Sequence, residues 1–139
     1  MTEKEKTIFE KIIDREVPAE IIYEDEKNIA FLNAFPFENG HILVIPKYAY
    51  ETIFDMPEKD FLDLQSAIYK VAKNVREKTK KDIAIYQRNG ADAGQEVPHV
   101  HFHIVPRYKP ESESPLFNDI AGEMLIDENK KEFGDLLKM

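Results

Sequence analysis

Residues 99 to 105 read His99-Val100-His101-Phe102-His103-Ile104-Val105. The β-branched and aromatic residues between the histidines argue for a strand. Side chains at i, i+2 and i+4 share one face of a strand, so His99, His101 and His103 form one row and Val100, Phe102 and Ile104 the other. The apolar row belongs on a core, whereas the imidazole row does not have a core's composition. Three readings of that row compete. It is a structural set of hydrogen-bonded histidines, or a metal site completed by His41 or Glu96, because neutral imidazole is a favoured ligand. Or it performs imidazole chemistry on an acyl or phosphoryl centre, since histidine titrates nearest neutrality and acts as nucleophile or general acid–base. The preceding loop, Gly90-Ala91-Asp92-Ala93-Gly94-Gln95, favours the last. Its glycines permit positive φ and close backbone approach, so free N–H groups could cradle an anion.

Working outward, Asp82 to Asn89 and Pro98 to Arg107 read as strands around this loop. Residues 57–80 carry a helical stripe of Phe61, Leu64, Ile68, Val71, Ala72 and Val75. Asp55 is a suitable cap, Pro57-Glu58 suits a first turn, and Lys78, Lys80 and Lys81 suit the far end. Upstream, Glu20 to Asp25 and Asn28 to Asn33 read as strands joined by a turn at Glu26-Lys27. Pro36, Asn39 and Gly40 punctuate a loop, and His41 to Ile45 is an apolar strand ended by Pro46. Ile8, Ile12 and Ile13 predict a short helix over residues 3–15, stopped at Val17-Pro18. Lys109 to Pro115 reads as a linker, and residues 123–138 as a peripheral helix. The order is α, β-β-β, α, β-β, α. Short connections favour an antiparallel meander covered by helices, so the fold class is α+β.

A chain of 139 residues supports one core. It has no cysteine, which excludes a disulfide scaffold, a thiolate nucleophile and cysteine-ligated metal. Neither its apolar runs nor its first residues suggest a bilayer span or a secretory signal, so the expectation is a soluble, cytoplasmic protein. A formal charge of −8 argues against a duplex nucleic acid partner but leaves a small anionic ligand open.

Taken together, these residues resemble the histidine triad (HIT) superfamily, whose signature is His-φ-His-φ-His-φ-φ with φ apolar. Matching segments occur in family order. They are Ile8-Phe9-Glu10-Lys11-Ile12-Ile13, Glu16-Val17-Pro18-Ala19, Ala30-Phe31-Leu32-Asn33, Gly40-His41-Ile42-Leu43-Val44-Ile45-Pro46-Lys47 and Ala93-Gly94-Gln95. The resemblance spans about residues 7–108, so residues 1–110 are read as a HIT domain. Residues 111–139 are then a linker and a C-terminal helical extension. It implies a five-stranded antiparallel sheet with an N-terminal helix and one long central helix, in a homodimer. It further implies cleavage at the α-phosphorus of a purine nucleotide conjugate, releasing a nucleoside monophosphate. The substrate would be a phosphoramidate or a dinucleoside polyphosphate, and no cofactor is implied.

The resemblance makes His101 the nucleophile that forms a covalent nucleotidyl intermediate, with His99 and His103 orienting it and hydrogen-bonding the phosphate. Asn33, with Ala34 beside it, matches the ribose site. Ile8, Phe9, Ile12, Val17, Phe31 and Leu43 match the base pocket, with His41 near it, although each apolar residue taken singly suits an ordinary core equally well. Gly94, Gln95 and Glu96 match the loop that contacts phosphates and leaving group. Three departures stand out. Thr7, Glu10 and Ala49 occupy positions where zinc-carrying members have two cysteines and a histidine, so no structural zinc is expected. Arg88 replaces an amide that touches phosphate, and is expected to clamp an extra phosphate or to pair with Glu96. Glu96 replaces a hydroxyl residue on the proton route to the leaving group. Two alternatives of other classes are a non-catalytic nucleotide-binding scaffold and a histidine-ligated metal-dependent hydrolase.

Overall fold

Thr7 decides where the first helix begins. Its hydroxyl accepts from Glu10 N at 3.2 Å while Glu10 Oε1 accepts from Thr7 N at 3.2 Å, a reciprocal box that satisfies two end donors. The computed structural model describes residues 5–116 and 126–139. In it α1 is only Ile8–Ile13, shorter than the periodicity suggests, and the expected start at 3–4 lies outside the described residues. Phe9 and Ile12 face inward, whereas Ile8 is 46% exposed.

Five strands follow: β1 Ile21–Glu24, β2 Asn28–Leu32, β3 Ile42–Pro46, β4 Asp82–Tyr86 and β5 Phe102–Arg107. All neighbours are antiparallel, in the order β1-β2-β3-β5-β4. The expected simple meander is therefore corrected. The central helix α2, Glu58–Thr79, has 22 residues and spans about 33 Å, enough to carry the chain past the next sheet position. β4 takes the far edge and β5 returns to pair with β3.

Strands β2 and β3 are buried at every residue, because both faces of the sheet are covered. Ala30, Leu32, Ile42 and Val44 pack on Leu64, Ala67, Ile68, Val71 and Val75 of α2. The alternate residues, Ile29, Phe31, Leu43 and Ile45, pack on Phe9 and Ile12 of α1. Val100, Phe102 and Ile104 join the α2 side, so the expected apolar row does meet the core. The histidines are thereby turned towards α1.

Several boundaries differ from the sequence expectation. Asp55 does not cap α2; it closes a box with Thr52 around a 3-10 turn, Ile53–Asp55, and Pro57 is the residue before α2. The strand from Asp82 stops at Tyr86 rather than Asn89. There Gln87 and Asn89 exchange amide hydrogen bonds of 2.7 and 2.6 Å, and Asn89 also accepts from Ile53 N. β5 begins at Phe102, not Pro98. Proline at 46 has no N–H to extend the ladder, and Val100 N instead donates to Tyr50 O. Residues 109–115, read as a linker, are held against the end of β5. Arg107, 8% exposed in its side chain, holds Ser114 O and lies 3.4 Å from Glu111, whose carboxylate accepts from Leu116 N.

The C-terminal helix α3, Asp127–Leu137, is not peripheral either. Leu137 is fully buried in the main core, and its carbonyl accepts from Asn74 Nδ2 at 2.6 Å. Burying such a leucine contributes roughly 1.5–3 kcal/mol. The expected start of this helix at 123–125 lies outside the described residues.

α2 ends on Lys80 with φ +60°, a left-handed conformation that costs a side-chain-bearing residue roughly 1–2 kcal/mol. Lys80→Gly is expected to raise the unfolding free energy by about 0.5–1 kcal/mol, net of the glycine's extra unfolded-state entropy. A urea melt showing a lower midpoint would refute that assignment of strain.

Candidate active site

The sheet register brings the site together. Phe31 pairs with Leu43, Leu43 with His103, and His103 with Tyr86, a transverse row on the α1 face. Over it lies a cavity of about 790 Å³. Ile8, Phe9, Ile12, Val17, Phe31, Asn33, Ala34, His41, Leu43, Arg88, Gly94, Gln95, Glu96, His101 and His103 all line it. Of the residues to which the resemblance gives a catalytic or nucleotide-binding role, His99 alone does not. It is fully buried behind the wall.

Backbone partners fix the protonation of each ring, because a carbonyl only accepts and an amide N–H only donates. His101 Nδ1 lies 2.7 Å from His99 O, so Nδ1 carries the proton and Nε2 keeps its lone pair. His99 Nε2 lies 2.7 Å from Pro46 O and donates to it, leaving a buried Nδ1 without a partner. Phe37 N donates to His41 Nδ1 at 2.9 Å, so the proton of neutral His41 is on Nε2. That Nε2 is 2.9 Å from His103 Nδ1 and donates to it. Neutral His103 then carries its own proton on Nε2, a donor beside the lone pair of His101.

All four rings are held neutral. Burial pushes His41 down to about 3 and His103 down to about 2, with His101 and His41 respectively repelling a second charge. Burial also lowers His101, against the opposing pull of its bond to the His99 carbonyl and of Glu96. His99 is lowered by the same cause, opposed by its bond to Pro46 O. Phe9 lies edge-on to His101 at 5.0 Å, and Tyr86 stacks on His103 at 4.1 Å and 4°. The result is one nitrogen with a free lone pair, on a ring that cannot rotate without losing a hydrogen bond.

These protonation states also bear on the metal reading. The lone pair of His103 Nδ1 is taken by His41, and that of His99 is sealed in the interior. The row therefore offers one free lone pair to the cavity and no chelating set. Among the described residues no group of three His, Cys, Asp or Glu is arranged to hold a metal ion. The positions of Thr7 and Glu10 are occupied by the capping box of α1.

The glycine loop corrects an expectation. Four of its six N–H groups are not free to cradle an anion: Ala93 N and Gln95 N donate to Gly90 O, Gly94 N to Ala91 O, and Gly90 N to Gln95 Oε1. Gln95 spends its amide on backbone carbonyls, donating to Val97 O and, across to the segment after β3, to Glu51 O. Gly94 is needed for another reason. It has φ +91°, and the Arg88 guanidinium lies 3.2 Å from where a Cβ would sit. Arg88 thus passes into the cavity wall, 5.6 Å over the Tyr86 ring. Asn33 Oδ1 accepts from Phe35 N at 3.0 Å, which leaves its amide hydrogens for a ligand.

Sequence reasoning missed Glu20, Phe37, Tyr86, Val97, Asp127 and Lys130, which also line the cavity. Tyr86 follows from the register opposite His103, and Val97 from the apolar patterning. No local signal marks Asp127 or Lys130, which arrive from the C-terminal helix.

A family model described as the HIT domain matches residues 14–110. The chain is 41% identical over 125 residues to an uncharacterised HIT-like protein of Methanocaldococcus jannaschii, covering 90% of this chain and 96% of that one. A bis(5'-adenosyl)-triphosphatase of Dictyostelium discoideum is 33% identical over 124 residues, with 85% and 83% covered. An adenosine 5'-monophosphoramidase of Saccharomyces cerevisiae is 38% identical over 100 residues, with 72% and 61% covered. Among solved structures, a HIT-like protein from Bartonella henselae superposes with a TM-score of 0.82 at 30% identity, covering 99% and 98% of the two chains.

Proposed function

This chain belongs to the HIT family, and from that footing we propose that it cleaves purine nucleotide conjugates at the α-phosphorus through His101. The observation that carries this reading is the His101 Nδ1 bond to the His99 carbonyl, which presents Nε2 as a neutral nucleophile at a cavity. His101 Nε2 attacks phosphorus and the bond to the leaving group breaks, that group taking a proton from solvent, to which the later attack of water returns one. The nucleotidyl-imidazole gains positive character, which the His99 carbonyl stabilises through Nδ1–H. His103 Nε2–H faces the charge that grows on the phosphoryl oxygens. Water then attacks phosphorus, the P–N bond breaks, a nucleoside monophosphate leaves and His101 is restored. Another acceptor in place of water would make the same chain a nucleotidyl transferase.

The relatives named as a phosphoramidase and a triphosphatase support the two substrate classes, a phosphoramidate and a dinucleoside polyphosphate. Apolar Ile8, Phe9, Ile12, Val17, Phe31 and Leu43 would hold the base, and Asn33 with Ala34 the ribose. Arg88, Gly94, Gln95 and Glu96 would face the phosphates and leaving group. The decisive experiment mixes the protein with adenylylated amines and dinucleotides, quenches in alkali, and maps the adduct by peptide mass spectrometry. A nucleotide on the His101 peptide is expected. Nucleotide binding with neither adduct nor turnover would make the chain a binding protein instead.

The reading includes a cytoplasmic homodimer. No helix among the described residues is long and apolar enough to cross a membrane. The outer edge of β1 is occupied, since Met139 N donates to Ile22 O, but β4 is the other edge and exposes 49% of Ile85. An open strand of this kind is a template for pairing, and the proposed dimer forms on it. Ile85→Lys is expected to turn a dimer into a monomer by light scattering; an unchanged mass would exclude this edge as the interface.

A further inference from the structure

Along α3 the residues Asp127, Lys130, Gly134 and Leu137 fall at i, i+3, i+7 and i+10, one stripe of the helix. The end of this stripe is core: Leu137 is fully buried, and the Gly134 backbone is so close to Glu20 that a Cβ would meet its carboxylate at 2.7 Å. The beginning of the same stripe is charged, and there it faces the cavity rather than solvent alone: Asp127 and Lys130 both line it. The stripe thus turns from apolar to charged where it leaves the core for the cavity. The local ion pair does not account for Lys130. Its Nζ is 4.0 Å from an Asp127 carboxylate that is wholly exposed, a contact of little worth.

The position along the cavity is set by the backbone. Glu20 O accepts from Leu32 N at 3.0 Å, and Asn33 is the next residue. Lys130, one turn before Gly134, therefore stands at the Asn33 end. His101, Arg88 and Gly94 belong to the other end, beside β4 and β5. We propose that Lys130 is a nucleoside-binding residue, donating to an acceptor on the base or ribose of a purine nucleoside and not to its phosphate. This rests on the nucleotide reading of the cavity. The residues read as the base slot, Ile8, Phe9, Ile12, Val17, Phe31 and Leu43, are apolar, so a heteroatom edge entering the slot loses water, and each unmatched acceptor weakens binding. Lys130 supplies a second donor, besides the Asn33 amide, from a segment that lies beyond the matched family region, residues 14–110.

The test measures Kd by calorimetry for adenosine, guanosine and their 5'-monophosphates, with the full chain and with Lys130→Met and Lys130→Arg. Methionine keeps the apolar stem, so the helix packing is preserved. A nucleoside contact predicts that Lys130→Met weakens a nucleoside and its monophosphate by the same factor, about tenfold, and that Lys130→Arg restores most of it. A loss confined to the monophosphates would overturn the assignment, as would unchanged affinity for all four ligands. The functional reading fails differently: the unaltered chain would bind none of them, and the alkali-stable adduct on His101 would be missing while Lys130→Met behaves like wild type.

Discussion

His101→Gly is expected to lower kcat/KM by about four orders of magnitude and to abolish the alkali-stable adduct. The substitution removes the nitrogen that forms the new bond to phosphorus, so nothing left in the cavity can share the displacement. Only the binding and electrostatic contributions of the other residues remain. The ring is half-buried and holds one hydrogen bond to the His99 carbonyl, so the thermal midpoint should move far less than the rate. Free imidazole, small enough to occupy the vacated space, should restore part of the turnover. Because burial lowers His101, the acidic limb of kcat/KM in the unaltered protein should fall below pH 6.5. Wild-type rates in His101→Gly would sink the covalent mechanism outright.

Acid should destabilise this protein before its carboxylates titrate. His41 and His103 are neutral in the fold, at about 3 and about 2, but titrate near 6.5 once unfolded. A folded value below the unfolded one means that the unfolded chain takes up protons that the native state refuses. The stability these rings contribute is complete above pH 6.5 and is lost as pH falls towards their folded values. Each ring that stays neutral removes about 1.4 kcal/mol per pH unit, so His41 alone accounts for about 3 kcal/mol by pH 4.5. A domain of this size has only about 5–15 kcal/mol to lose. Urea melts from pH 7 to 4.5 should show this slope, and His41→Gln should flatten it by about one proton. A stability that stays level across that window would contradict a neutral His41–His103 pair.

These two experiments probe different halves of one arrangement. In the proposed mechanism His101 acts because its lone pair is free, and His103 donates because His41 occupies its other nitrogen. His41 in turn has its proton placed by a backbone N–H four residues earlier, that of Phe37. The loop before the histidines contributes mainly by geometry. Gly94 makes room for Arg88, and Gln95 ties the loop together with three hydrogen bonds.

Alternation along Val100 to Ile104 was enough to separate a core row from a histidine row, because a strand's period is two whatever surrounds it. Apolar periodicity likewise revealed the long helix, and the absence of cysteine removed whole classes of chemistry. Local pattern could not place β5 between β3 and β4, since a 22-residue helix can deliver its strand to more than one sheet position. Nor could it reveal that His99 is sealed inside while its carbonyl steers His101, because that depends on Pro46, far away in the chain. Tautomers, the His41–His103 bond and the arrival of Lys130 all depend on contacts between distant segments. Residue type is local information, but which nitrogen keeps its lone pair is set by whatever group the fold brings to the other one.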